Sequence, residues 1–216
     1  MKKKIGIIGS GIVGQVLAKG FLTHGYEVMI GTNDAAKHAS LKEQVGEQVK
    51  IGTFSEAAAF CEIAVLATKG TVAGAALVKS GVDNLKSKTV IDATNPIAEV
   101  PPVNGVLQYF TSNNASLMEN LQGLAPETHF VKAFNSVGNA FMINPDFGGI
   151  KPTMFICGNS DPAKKEVTEI LDLFGWETED MGMVEAARAI EPLCILWCIP
   201  GFTKNQWNHA FKLLKK

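Results

Sequence analysis

The run Ile5-Gly6-Ile7-Ile8-Gly9-Ser10-Gly11-Ile12-Val13-Gly14 constrains this chain more than any other stretch. A short apolar strand feeds directly into Gly-x-Gly-x-x-Gly. Apolar residues at helical spacing follow at once: Val13, Val16, Leu17 and Phe21. Glycines alone say little, but strand, glycines and helix in this order predict a turn that binds a dinucleotide. Its backbone N–H groups, at a helix N-terminus, are placed to hold a pyrophosphate. Gly9 is expected to make the tight turn, Gly11 to let the backbone approach the phosphates, and Gly14 to let helix and strand pack closely. Ser10, Ile12 and Val13 complete this predicted cofactor loop. The competing reading is a glycine-rich turn with no ligand.

Strands and helices alternate through the rest of the chain. That alternation predicts an α/β protein with a Rossmann-type, doubly wound, mostly parallel sheet. Strands are expected at Tyr26–Ile30, Val49–Ile51, Ile63–Ala67, Thr89–Ala93 and Phe130–Phe134. Helices are expected near Ala35–Gln44, Ser55–Phe60, Val72–Lys79 and Ser116–Leu124. Asn95–Asn114 is rich in proline, lacks apolar periodicity and is expected to lie as a loop over the cofactor.

The Gly- and Pro-rich stretch 145–152 divides a core (1–150) from a small C-terminal α/β lobe (151–216) within one dinucleotide-binding unit. The lobe reads as strand Thr153–Cys157, helix Ala163–Phe174, strand Trp176–Glu179 and a long apolar helix Val184–Ile199. Pro192 is expected to kink that helix or mark its true start. Pro200-Gly201 is expected to end it, and an amphipathic segment carrying Trp207, Phe211 and Leu214 follows.

With 20 basic and 21 acidic residues the net charge is −1, which offers no general attraction to nucleic acid or an anionic membrane. No apolar run reaches the roughly 20 residues a bilayer requires, so a cytoplasmic protein is expected. Cys61, Cys157, Cys194 and Cys198 lack a metal-ligand spacing and read as reduced structural thiols. The four histidines have no patterned partners, which argues against hydrolysis.

The second strand ends Ile30-Gly31-Thr32-Asn33, where an NAD-preferring fold usually carries an acid. Thr32, Asn33 and Lys37 are therefore expected at the adenosine ribose, with NADP(H) preferred, although no arginine is present for a bidentate phosphate contact. Ligands in such sheets sit beyond the carboxyl ends of the strands. Ala67, Thr68, Lys69 and Asn95 are accordingly the cofactor candidates, and Asn95, Pro96, Asn135 and Ser136 the substrate candidates. Hydride transfer asks mainly that donor and acceptor carbons be held about 3–3.5 Å apart. No side chain is assigned as acid or base, and no metal is expected.

Several blocks together resemble the NADPH-dependent oxidoreductases that reduce the deazaflavin coenzyme F420. They are Ile7 through Gly14, Gly31-Thr32, Val90-Ile91-Asp92-Ala93-Thr94-Asn95-Pro96, Val131-Lys132-Ala133-Phe134-Asn135, Ala187-Arg188 through Glu191-Pro192, Leu196-Trp197 and Ala210–Leu214. The central blocks are also similar to the cytosolic NADPH-binding reductase domain of transmembrane ferric reductases. Asn33 stands where these relatives carry arginine, and Lys69 where they often carry proline. Pyrroline-carboxylate reductases and β-hydroxyacid dehydrogenases share the N-terminal region but add a longer all-helical domain, unlike the strand-containing segment after Pro152.

The resemblance implies hydride transfer between NADP(H) and a small-molecule acceptor, coenzyme F420 or a flavin (FMN or FAD). That acceptor would lie in a cleft between core and lobe. Trp197 joins the substrate candidates only through this resemblance. A non-enzymatic NADP(H)-binding sensor or partner-binding module is the alternative. The apolar C-terminal helix either walls the acceptor cleft or forms a homodimer interface.

Overall fold

The computed structural model describes residues 2–216. Strand β1 (Lys4–Ile8) lies at the centre of a six-stranded parallel sheet, and four of its five residues are buried. Around it come α1 (Ile12–Thr23), β2 (Glu27–Gly31), α2 (His38–Val45), β3 (Lys50–Gly52), α3 (Phe54–Phe60), β4 (Ile63–Leu66), α4 (Gly70–Ser80), β5 (Thr89–Asp92), α5 (Leu117–Leu124) and β6 (His129–Lys132). The strand order is β3-β2-β1-β4-β5-β6, the doubly wound Rossmann order expected from the sequence. Strands β4 and β5 are buried at every residue, because helices cover both faces of a parallel sheet.

The rest of the chain forms β7 (Thr153–Ile156), α6 (Asp161–Leu173), β8 (Glu177–Asp180), α7 (Ala187–Ile190) and α8 (Pro192–Lys204). Strands β7 and β8 make a two-stranded parallel sheet. It touches the large sheet through an antiparallel bridge, where Lys132 N–H donates to the Cys157 carbonyl at 3.0 Å. One apolar cluster runs from Ile5 and Phe21 through Phe134 and Met154 to Phe174 and Trp176.

Two segments differ from the sequence expectation, and a third was given no element type in advance. Val184–Ile199 is not one helix. A 3₁₀ turn (Val184–Ala186) and the short α7 precede α8, which starts at Pro192. Nor do Pro200-Gly201 end α8, which continues to Lys204 and stops at Asn205 in the left-handed conformation (φ 54°). The missing side chain of Gly201 serves packing instead, since a Cβ there would lie 2.2 Å from the Trp207 ring.

Residues 205–216 are not helical. Thr153 N–H donates to the Phe211 carbonyl (2.8 Å), and Leu213 N–H to Thr153 Oγ1 (3.1 Å), so the segment runs as a strap along β7. Lys212 and Lys215 pair with Glu177 and Glu179 of β8. Apolar residues three and four apart mimic a helix, but tertiary hydrogen bonds claim the backbone.

Asn95–Asn114 is also more ordered than its composition implies. Ala98 N–H donates to the Gln108 carbonyl (2.8 Å) and Phe110 N–H to that of Pro96 (3.0 Å). At the tip, Val103 and Val106 exchange both backbone hydrogen bonds around Asn104 and Gly105, at φ 51° and 81°. This is a two-residue hairpin turn of the type that Asn-Gly favours.

Candidate active site

The switch point of the sheet falls between β1 and β4, where the two turns touch. Gly9 has φ 125°, and a Cβ on it would lie 2.4 Å from the Ala67 carbonyl oxygen. Gly14 brings α1 against the same turn, since its Cβ would sit 2.2 Å from the Gly9 oxygen. Gly11 differs from both: a Cβ there meets nothing within 4 Å. It is the N-cap of α1, and no side chain among the described residues caps the helix. The first intrahelical bond runs from Gln15 N–H to the Gly11 carbonyl (3.0 Å). Ile12, Val13 and Gly14 therefore present N–H groups with no intrahelical acceptor beside open space. Those donors, the positive end of the helix dipole and the open approach over Gly11 fit a pyrophosphate.

Thr32 is buried beside this turn. Its hydroxyl accepts from Ser10 Oγ (3.0 Å) and from Asp34 N–H (3.2 Å), and Gly9 N–H donates to the Gly31 carbonyl (3.2 Å). The threonine stitches the end of β2 to the glycine loop. Asn33 is exposed, Asp34 caps the next turn through Ala36 N–H, and Lys37 lies 4.0 Å from Asp34.

A cavity of about 640 Å³ opens at the carboxyl ends of β4 and β5. Thr68, Lys69, Gly70, Ala93 and Asn95 line one side, and Ile97–Pro101 of the hairpin the other. Lys69 is exposed, and its ammonium faces Glu99 at 3.4 Å. Lys69, expected from sequence to face the cofactor, thus meets a carboxylate already in place. Gly70 starts α4, and a Cβ there would lie 2.0 Å from the Asn95 carbonyl oxygen, so only glycine lets α4 pack this close to the Asn95 turn. The Thr68 hydroxyl is buried without a hydrogen-bond partner among the described residues.

Behind this cavity Asn95 and Asn135 hold each other. Asn95 Nδ2 donates to the Asn135 carbonyl (2.7 Å), and Asn135 Nδ2 to the Ile190 carbonyl (2.9 Å). Phe134 occupies the left-handed region at φ 62° while fully buried, turning the chain sharply just ahead of Asn135. Such strain persists only where the surroundings over-determine it. Pro96 and Ser136 are buried alongside.

Trp197 lies elsewhere. It lines a separate cavity of about 590 Å³ with Gly138–Phe141, Asn205, Trp207 and Asn208. Its Nε1 donates to the His209 carbonyl (2.8 Å), and its ring stacks on His209 at 4.9 Å.

Three charged residues not assigned a role from the sequence lie beneath the site. Parallel register sets Asp92 beside Lys132, and the Lys132 ammonium reaches Asp92 Oδ2 (2.7 Å), Glu191 Oε1 (3.0 Å) and the Thr94 carbonyl (2.9 Å). All three side chains are at most 2% exposed. Burial pulls the Lys132 pKa down, but the two carboxylates outweigh it and hold the ammonium above its ordinary value. The available signal was charge inside apolar strands, in Thr89-Val90-Ile91-Asp92 and Phe130-Val131-Lys132-Ala133. A charge there must be paired.

This geometry is that of a dinucleotide-binding protein of the Rossmann class, and similarity to known proteins narrows it. The family model described as NADP oxidoreductase, coenzyme F420-dependent, matches residues 4–96. A structure from Arthrobacter sp. FB24, classed provisionally as an F420-dependent NADP reductase, is 30% identical with a TM-score of 0.91, covering 99% of this chain and 100% of that one. The F420-dependent NADP reductase of Methanothermobacter marburgensis is 29% identical over 201 residues, 88% of each chain. The metalloreductase STEAP3 of Rattus norvegicus is 30% identical over 202 residues, and the match spans 91% of this chain but 38% of that protein. The chain belongs to the F420-dependent NADP oxidoreductase family.

Proposed function

We propose that this protein moves hydride between NADP(H) and a flavin-like or deazaflavin acceptor. The observation that carries this reading is the uncapped N-terminus of α1, open over Gly11, together with the cavity beyond the carboxyl ends of β4 and β5. In it, the N–H groups of residues 12–14 hold the pyrophosphate. Thr32, Asn33 and Lys37 face the adenosine ribose, and Ala67, Thr68, Lys69 and Asn95 frame the nicotinamide end. The nicotinamide, when bound, supplies the hydride. The residues bind, orient and exclude water, and no side chain is assigned a proton to carry.

The acceptor is proposed to meet the nicotinamide in the cavity beside Asn95, whose volume of about 640 Å³ is in the range of small-molecule sites. Trp197, in its separate cavity, has no part in this reading. Core and lobe act as one unit in this reading. The exposed Leu196 and Phe202 on α8 make that helix the proposed homodimer face. The proposed setting is cytoplasmic; among the described residues no helix is long and apolar enough to cross a membrane.

Purified protein incubated with NADPH and, separately, coenzyme F420, FMN or FAD tests the proposal. Loss of nicotinamide absorbance with one of them is expected. Tight NADPH binding without turnover of any acceptor would overturn the acceptor assignment and favour the sensor.

A further inference from the structure

We propose that Glu191 is a positioning residue that sets the Asn95–Asn135 amide pair from within a buried ion cluster. The inference rests on the reading above that Asn95 frames the nicotinamide end. Glu191 stands between α7 and α8, and its two ends do different things. Its carboxylate reaches inward to the Lys132 ammonium, while Oε2 and Oε1 accept the Leu117 and Met118 N–H groups at the start of α5, each at 3.0 Å. Its carbonyl accepts the Tyr109 hydroxyl at 2.7 Å, and that hydroxyl also lies 3.4 Å from Asn95 Oδ1. The preceding carbonyl, of Ile190, takes Asn135 Nδ2.

The same cluster grips Asn95 from its other side. Thr94 donates from both N–H (2.9 Å) and Oγ1 (2.6 Å) to Asp92, and its carbonyl accepts from Lys132. Both amides of the pair are thus tied, within one residue or one hydrogen bond, to a single fully buried ion cluster.

Stability alone does not explain such a cluster, because well-packed apolar residues of similar volume often serve as well or better. Position does. An ammonium hydrogen-bonded to the Thr94 carbonyl and ion-paired with two buried carboxylates ties β5, β6 and the α7–α8 junction to one another. Residue 191 belongs to the C-terminal segment, whereas Asn95 and Asn135 follow strands of the large sheet. The cluster therefore makes the nicotinamide end depend on how that segment is seated.

Calorimetry on the full chain with NADPH and with 2′,5′-ADP, which lacks the nicotinamide half, separates positioning from folding. Glu191→Gln is expected to weaken NADPH about tenfold, the equivalent of one to two hydrogen bonds, while leaving 2′,5′-ADP within about twofold. Tyr109→Phe, which leaves the ion cluster intact, should show the same pattern at about threefold and decides the matter if Glu191→Gln does not fold. Equal losses for both ligands, or none for either, would overturn the positioning role. Wild-type protein that binds neither ligand would overturn the cofactor reading itself.

Discussion

Gly11 and Gly14 lie three residues apart and answer to different forces. At Gly14 the constraint is internal, since any side chain collides with the Gly9 carbonyl. Gly14→Ala should therefore cost about 1–3 kcal/mol by overpacking, read as a lower Tm. At Gly11 the backbone (φ −73°, ψ 178°) accepts any residue and the space beyond is empty. Gly11→Val should lose no more than about 1 kcal/mol of stability through poorer capping. Its affinity for NADPH should nevertheless fall more than tenfold by calorimetry, as the side chain takes the pyrophosphate's approach.

Cysteines divide in a similar way. Burial pushes the Cys157 thiol up to about 12 and raises that of Cys61. The hydrogen bond between Cys194 and Cys198 raises the first and lowers the second, which is half-buried. A thiol reagent at pH 8 should label Cys198 first and the other three only after unfolding. Cys198→Ser should abolish the fast phase.

Between elements, the joint of α5 with α7 and α8 adjoins the buried Asp92–Lys132–Glu191 cluster. Removing the ammonium by Lys132→Met leaves two buried carboxylates facing each other and should cost about 3–5 kcal/mol, measurable by urea unfolding. A second contact on the same joint lies nearer solvent. The Arg188 guanidinium, hydrogen-bonded to Glu119, holds that carboxyl down at about 2, below the ordinary value of 4.5. With the folded value depressed, the pair's stabilisation is complete above about pH 4.5 and drains away as pH falls toward 2. Arg188→Gln should lower Tm slightly at pH 7 and leave it unchanged at pH 2.

These joints were only half legible beforehand. Asp92, Lys132 and Glu191 each stood within a motif shared with relatives, yet nothing in linear order pairs residues 40 and 59 positions apart. The Asn104-Gly105 pair carries a hairpin signal, because only residues tolerant of positive φ close a two-residue turn, but the expected loop took no account of it. Proline content around it had pointed to an unstructured loop.

Across the whole molecule, the parallel sheet and the dinucleotide turn follow from local rules. Buried strands read as continuous apolar runs, and a crossover helix must separate parallel neighbours. The glycines of the first turn announced their place because each stands where a Cβ would strike backbone or occupy the ligand's approach. Tertiary structure alone decided what lies at the far end of the cleft. It sent Trp197 into a different cavity from Asn95, set Glu99 against Lys69, laid residues 205–216 along β7, and drew Glu191 beneath the amide pair. The physical reason is range. Steric and periodic constraints act over a few residues and are written in sequence order, whereas a buried charge or an unpaired amide takes whichever partner the completed fold delivers.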